Sequence, residues 1–80
     1  MPTVLRVDGF DFRIFPSDHD PAHVHAYYAG LEAKIAIGDE EKAPSSLDAM
    51  RMPTSAVRRA TKIVAAHQER LLEAWEIYHG

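Results

Sequence analysis

The spacing of apolar residues changes once along this chain, and that change constrains the fold more than any other feature. Up to about residue 37, apolar and polar side chains alternate, as they do in strands that bury one face. From Thr54 to Tyr78, apolar residues recur at threes and fours, which indicates an amphipathic helix. We therefore predict an α+β fold, in which a three- or four-stranded antiparallel sheet carries one long C-terminal helix packed on one face.

Two hairpins are predicted in the strand region. Asp8-Gly9 separates two runs of strand-forming residues, which is a strong short-range hairpin signal. A second hairpin should turn at Ala29-Gly30 with Tyr28 opposite Leu31, because a shift by one residue would bury polar side chains such as Lys34. The residues predicted to form the core are Phe12, Val24, Ala26, Leu31, Ile35, Val64, Leu71 and Trp75.

The 80 residues are enough for one domain. We divide it into strands and hairpins at 1–37, an irregular polar segment at 38–53 and a helix at 54–79, with room for a short strand or turn near 47–52. A domain of this length buries only a small core. It has no cysteine for a disulfide, so helix packing, homo-oligomerisation or a histidine–carboxylate metal site remain as sources of stability.

Charge and hydropathy exclude several classes of function. Nine basic residues against twelve acidic ones give a net charge of −3, which argues against a general nucleic-acid-binding protein. The N-terminal stretch meets an acid at Asp8 and does not resemble a signal peptide, and no apolar run approaches the roughly 20 residues that span a bilayer. We expect a cytoplasmic protein without a membrane partner. P-loop, dinucleotide-binding and common hydrolase motifs are absent from the sequence.

The segment Ser17–Tyr28, SDHDPAHVHAYY, carries most of the chemistry. In a strand, residues two apart share a face at about 7 Å, so His23, His25 and Tyr27 should form a polar row. Lys34 and Glu32 would face this row from the next strand. The candidate binding residues in and around the row are Arg13, Asp18, His19, Tyr27 and Lys34.

Several interpretations of this row stay open. It can be a solvated sheet face whose polar pairs only stabilise the hairpin, or a binding surface without catalysis. His23 and His25 can also act as general base and general acid. With Lys34 or Arg13 holding a phosphate, that pair would suit metal-independent cleavage of RNA. The sequence does not decide whether the protein is an enzyme.

A divalent-metal site is the third alternative for the same row. His19, His23 and His25 are the candidate ligands, and Asp18 can also reach in from the preceding loop. Imidazole and carboxylate ligands suit Zn²⁺ and its neighbours. We expect at most weak binding and no obligatory cofactor, because two strand positions are spaced widely for one ion and the third ligand lies on a loop.

The predicted helix has an unusual distribution of polar residues. Its first half carries Arg58, Arg59 and Lys62, and its second half carries Glu69, Glu73 and Glu76. This order opposes the helix macrodipole, so the basic residues either bind a partner or belong to a solvated face. His67 lies within the apolar stripe, where we expect it to be partly buried and hydrogen-bonded to a backbone carbonyl.

Three stretches of the chain together resemble a known family. They are MPTVLRVDGFDFRIFPSDHDPAHVHAYYAG, LEAKIAI and KIVAAHQERLLEAWEIYHG. They are similar to the bacterial domain-of-unknown-function family numbered 4160, whose pattern has a first strand opening with Pro, a loop resembling D-H-x-P-x-H-V-H and a final helix ending L-L-E-A-W. Here those elements are Pro2, the loop from Asp18 to His25, and Leu71–Trp75.

The resemblance implies a partner rather than a reaction. Such genes often resemble one half of a compact two-gene operon, beside a small family numbered 2442, and the pair looks like a type II toxin–antitoxin module. We therefore expect a protein-interaction component whose partner is encoded by the neighbouring gene. His19, His23 and His25 match the family motif, but the resemblance brings no catalytic role with them. A metal-independent ribonuclease acting on RNA and a divalent-metal-binding protein are the alternatives.

Overall fold

Five antiparallel strands form one sheet in which each strand lies beside the one before it. The structure is a computed structural model that describes residues 3–79, so Pro2 and Gly80 lie outside the described residues. The strands are β1 (Thr3–Val7), β2 (Phe10–Arg13), β3 (His23–Tyr28), β4 (Leu31–Ala36) and β5 (Ser45–Asp48), and the helices are α1 (Thr54–Ala66) and α2 (Gln68–His79).

Both predicted hairpins are confirmed. Val7 pairs with Phe10 around the Asp8-Gly9 turn, and both turn residues have positive φ, at 52° and 84°. This is the conformation that a two-residue hairpin turn requires and that Asp-Gly favours. In the second hairpin Tyr28 pairs with Leu31, as the hydrophobic pattern predicts.

The core lies between the sheet and the two helices. The predicted core residues of the strands and helices are buried, except that Leu31 is only partly buried and packs against the edge of the core. The largest fully buried side chains are Phe10, Phe12, Ile14, Val24, Ile35, Ile37, Val64 and Leu71. These residues share one face of the sheet and one stripe of the helices, so the opposite face of the sheet is left for polar side chains.

The predicted number of strands is wrong, because a fifth strand forms within the segment expected to be irregular. Ser45–Asp48 pairs antiparallel with β4, with a register shift between Lys34 and Ile35. All four residues of β5 are exposed, so the strand has no alternation of apolar and polar side chains. It forms because pairing satisfies the backbone groups along the edge of β4.

The single long C-terminal helix is also wrong, since the helix is interrupted at His67. The His67 backbone N–H is shared between the carbonyls of Ile63 and Val64, and its Nδ1 lies 2.9 Å from the Ile63 carbonyl oxygen. Gln68 donates to the carbonyl of Ile37, which anchors the interruption to the end of β4. The expected burial and carbonyl bond of His67 are confirmed. Within residues 3–79, neither helix is long and apolar enough to cross a bilayer.

Candidate metal centre

Two buried histidines lie at the beginning of strand β3, on the face of the sheet opposite the core. His23 and His25 are each 7% exposed. They are covered because the loop between β2 and β3 folds back over this face. The Phe15 ring meets the His25 ring edge-on at 4.9 Å. Phe15 and Asp18 then exchange two hydrogen bonds, from the Asp18 N–H to the Phe15 carbonyl and from the Phe15 N–H to Asp18 Oδ2. This turn holds the Asp18 carboxylate above the strand.

The two imidazoles point the same ring atom at Asp18. His23 Nδ1 lies 2.8 Å from the Pro21 carbonyl oxygen, and His25 Nδ1 lies 2.8 Å from Glu32 Oε2. Because a carbonyl and a carboxylate oxygen only accept, each Nδ1 must donate, so a neutral ring carries its lone pair on Nε2. His25 Nε2 is 3.1 Å and His23 Nε2 is 3.7 Å from Asp18 Oδ1. Three potential ligand atoms therefore lie within 4.8 Å of one another.

These separations suit a metal ion. Zinc bonds to nitrogen and oxygen at about 2.0–2.1 Å, so tetrahedral ligands lie roughly 3.3–3.5 Å apart. The two distances to Asp18 Oδ1, 3.1 and 3.7 Å, lie on either side of that range. Histidines that bind metals also usually donate their other ring N–H to a carboxylate or carbonyl, as His23 and His25 do here. The cluster can therefore hold a divalent ion with little rearrangement.

The environment of the Asp18 side chain favours its ionised form. Burial alone raises the pKa of this carboxyl group, but the hydrogen bond from the Phe15 N–H and the contact with the His25 ring outweigh burial, and the pKa is lowered overall. The carboxylate therefore supplies a negative charge between the two imidazoles at neutral pH.

A family model described as Domain of unknown function (DUF4160) matches residues 9–76. The chain belongs to the DUF4160 family. No curated protein and no solved structure matches it. The match confirms the family resemblance seen in the sequence, and it spans Asp18, His23 and His25 as well as most of both helices.

Not all candidate residues of this DUF4160 chain lie at the cluster. Asp18, rather than His19, stands with His23 and His25, and His19 is exposed. Lys34 pairs with His25 across β3 and β4, as expected, and it lines a cavity together with Asp18 and His23.

The polar row continues away from the cluster as a second group. The Arg13 guanidinium carbon lies 4.4 Å above the Tyr27 ring, and Arg13 donates to Asp11 Oδ2 at 3.3 Å. Burial raises the pKa of Asp11, but the hydrogen bonds from Arg13 and Thr3 outweigh burial and lower it overall. Burial and the negative charge of Glu32 raise the pKa of Tyr27.

The basic residues of α1 lie apart from the histidines. Arg58 and Lys62 are exposed and form no ion pair within residues 3–79. The Arg59 guanidinium carbon lies 5.3 Å from the ring centres of Phe10 on β2 and Tyr28 on β3, so it sits over two neighbouring strands.

Two contributors to the DUF4160 cluster were not identified as site residues from the sequence. Glu32 orients His25. The sequence does contain a signal for this contact, because Glu32 lies diagonally across the hairpin from His25, and a side chain as long as glutamate can span that diagonal. Trp75 lies 5.4 Å from the His23 ring and stacks on His79 at 3.8 Å. Nothing in the spacing of the strand residues indicates that α2 reaches the histidines.

Proposed function

We propose that this DUF4160 domain binds one divalent transition-metal ion, such as Zn²⁺, through Asp18 Oδ1, His23 Nε2 and His25 Nε2. The observation that carries the proposal is the convergence of two buried Nε2 atoms on one carboxylate, with both Nδ1 atoms already used as donors. A proton on one Nε2 would relieve one of these contacts, whereas a metal ion satisfies all three groups at once. Imidazole with one carboxylate favours Zn, Ni or Cu over Mg or Ca.

The same geometry favours metal binding over metal-independent cleavage of RNA. Both ring nitrogens of His25 lie on carboxylate oxygens, one from Glu32 and one from Asp18. His25 therefore offers no unoccupied nitrogen to a substrate hydroxyl in this arrangement, so the two-histidine pair that general base and general acid catalysis would use is incomplete. Three protein ligands also leave a coordination position open, as in catalytic rather than structural zinc sites.

The test uses the single tryptophan of the chain as a reporter. Because Trp75 lies 5.4 Å from the His23 ring, a paramagnetic ion such as Ni²⁺ at the cluster should quench its fluorescence. Tag-free protein, stripped with EDTA, is titrated with Ni²⁺ by fluorescence and with Zn²⁺ by equilibrium dialysis. We expect one ion per chain.

Variants decide which residues hold the ion. His23→Ala and Asp18→Ala should weaken binding by more than the roughly 10–100-fold loss that is typical of an outer-shell partner. His19→Ala is the matched control, because His19 neighbours the ligands in sequence but lies outside the cluster, and it should bind like wild type. Circular dichroism checks that each variant folds. Wild-type affinity in His23→Ala, or an equal loss in His19→Ala, would overturn the proposed ligand set.

A second candidate function is the protein-interaction component of a toxin–antitoxin-like gene pair. The observation that favours it is Ile77, which is 83% exposed on α2, beside the exposed side chains of Glu73 and Glu76. An exposed apolar side chain flanked by acidic residues is complementary to a partner surface that has an apolar pocket with a basic rim. Co-expression with the neighbouring gene of family 2442, followed by co-purification, tests this function.

The interaction assay has its own variants. Ile77→Asp should abolish the complex, while Glu69→Gln, about two turns earlier on the same helix, should leave it nearly unchanged. A neighbouring-gene product that does not bind wild-type protein at micromolar concentration would contradict the interaction role. Equal binding by wild type and Ile77→Asp would exclude this part of α2 as the contact surface.

A further inference from the structure

A cavity of about 410 Å³ opens beside the proposed metal ligands. Asp18 and His23 form one wall, and Lys34, Leu47 and Ser17 contribute to the others. Its volume is within the range of about 300–1,000 Å³ that small-molecule sites occupy. Because two of the three ligands line this cavity, an ion held by them would present its open coordination position to whatever the cavity contains.

Lys34 gives the cavity a cation. It lies on β4 between His25 of β3 and Asp48 of β5 in the strand pairing, and its side chain is partly buried. No carboxylate within residues 3–79 forms an ion pair with it. A lysine ammonium has three donors and no acceptor, so a partly buried one that forms no ion pair can donate to an anion from solution.

We infer that this cavity binds the oxyanion group of a small molecule, a phosphate or a carboxylate, with one oxygen on the metal ion and another on the Lys34 ammonium. The inference rests on the proposed metal function, since the ion supplies the second positive charge. A metal ion and a lysine side by side form a common clamp for such groups, because both act on the oxygens without any proton transfer.

Two further carboxylates set the limits of this site. Asp20 and Asp48 also line the cavity, and Asp48 Oδ1 accepts the Met50 backbone N–H at 2.9 Å. Their charges repel an anion, so the site should bind an oxyanion more tightly when one of these carboxylates is removed. Asp48→Asn keeps an acceptor for the Met50 N–H while it removes the charge.

The experiment uses full-length, tag-free protein loaded with one equivalent of Co²⁺ and freed from excess metal. Inorganic phosphate and acetate are titrated separately, with calorimetry and the visible absorption of the bound Co²⁺ as readouts. We expect Lys34→Met, which keeps the apolar stem, to weaken anion binding about tenfold or more, whereas Asp48→Asn should strengthen it. Both variants should still bind one equivalent of Co²⁺, which also shows that they are folded.

The outcomes separate the two proposals. If the protein binds no metal ion, the proposed metal function fails and this inference fails with it. If the ion binds but neither anion does, or if Lys34→Met binds the anion as wild type does, only this inference is overturned. Equal anion binding with and without Co²⁺ would also overturn it. A Lys34-dependent response to phosphate alone identifies a phosphate site, and one to acetate alone identifies a carboxylate site.

Discussion

Zinc should raise the melting temperature of this domain by an amount that its small size makes easy to measure. An ion that binds only the folded state stabilises it by about 2.7 kcal/mol at 100 times its Kd. In a domain of 60–100 residues, each kcal/mol shifts the melting temperature by about 4–8 °C. For this 80-residue chain the expected shift is therefore about 11–22 °C. The shift depends on the folded cluster, because Asp18, His23 and His25 converge only through the turn of the β2–β3 loop.

The assay is a set of thermal melts followed by circular dichroism, first in EDTA and then with Zn²⁺ at 100 times the Kd measured by dialysis. His25→Ala should lose the shift. His67→Ala is a control for the loss of a histidine elsewhere in the fold, because His67 is partly buried and bonded to a backbone carbonyl and lies outside the cluster. It should start from a lower melting temperature and keep the full shift. An equal shift in wild type and His25→Ala would refute the reasoning, as would no shift at that zinc concentration.

Three further predictions concern the fold around the site. Asp11 has a lowered pKa in the folded protein, so it adds stability above about pH 3.8 that is lost as the pH falls through its folded-state value. Asp11→Asn should cost about 1 kcal/mol of stability in urea melts at pH 7, a cost that shrinks as the pH is lowered below 3.8, and a cost that does not depend on pH would contradict this. The pKa of Tyr27 is raised above 10.0, so the folded state should lose stability as the pH rises past 10, and Tyr27→Phe should abolish that alkaline loss in the same assay. Trp75→Ala should lower the free energy of unfolding by about 3–5 kcal/mol in denaturant melts. Ile77→Ala, on the exposed side of the same helix, should stay within about 0.5 kcal/mol of wild type. Similar losses of stability in the two variants would show that Trp75 is not part of the core.

The hairpins and the core could be predicted because the buried apolar residues recur at regular intervals along the sequence. Alternation determines which face of β3 and β4 is apolar, and a shift of one residue would have exposed that face. Strand β5 has no such pattern, since all its residues are exposed, and its position follows from pairing with β4. The interruption at His67 escaped prediction because the apolar stripe continues across it from Val64 to Leu71, while the contact that anchors it joins Gln68 to Ile37, which is distant in the sequence.

The candidate site was predicted in part for the same reason. The shared direction of His23 and His25 follows from strand geometry. The burial of the two histidines does not follow from strand geometry, because it depends on how the loop after Ile14 folds over them. A loop rich in Pro, Asp and Ser has no periodic hydrophobic pattern from which that fold could be predicted. The choice of Asp18 over His19 is a consequence of the single turn closed by Phe15 and Asp18. Loops of this kind are specified by a few hydrogen bonds rather than by a repeating pattern.

The order of the strands has a consequence for how quickly the site can assemble. Asp18 and His25 are seven positions apart in the sequence, as are His25 and Glu32, so the cluster closes through short loops whose entropic cost is low. Every strand pair joins neighbours in the chain, an arrangement of low contact order that favours fast folding. An ion could bind as soon as the loop and the central hairpin have formed, before either helix has docked. Its binding energy would then already be present in the transition state, so it would speed folding and leave the rate of unfolding nearly unchanged.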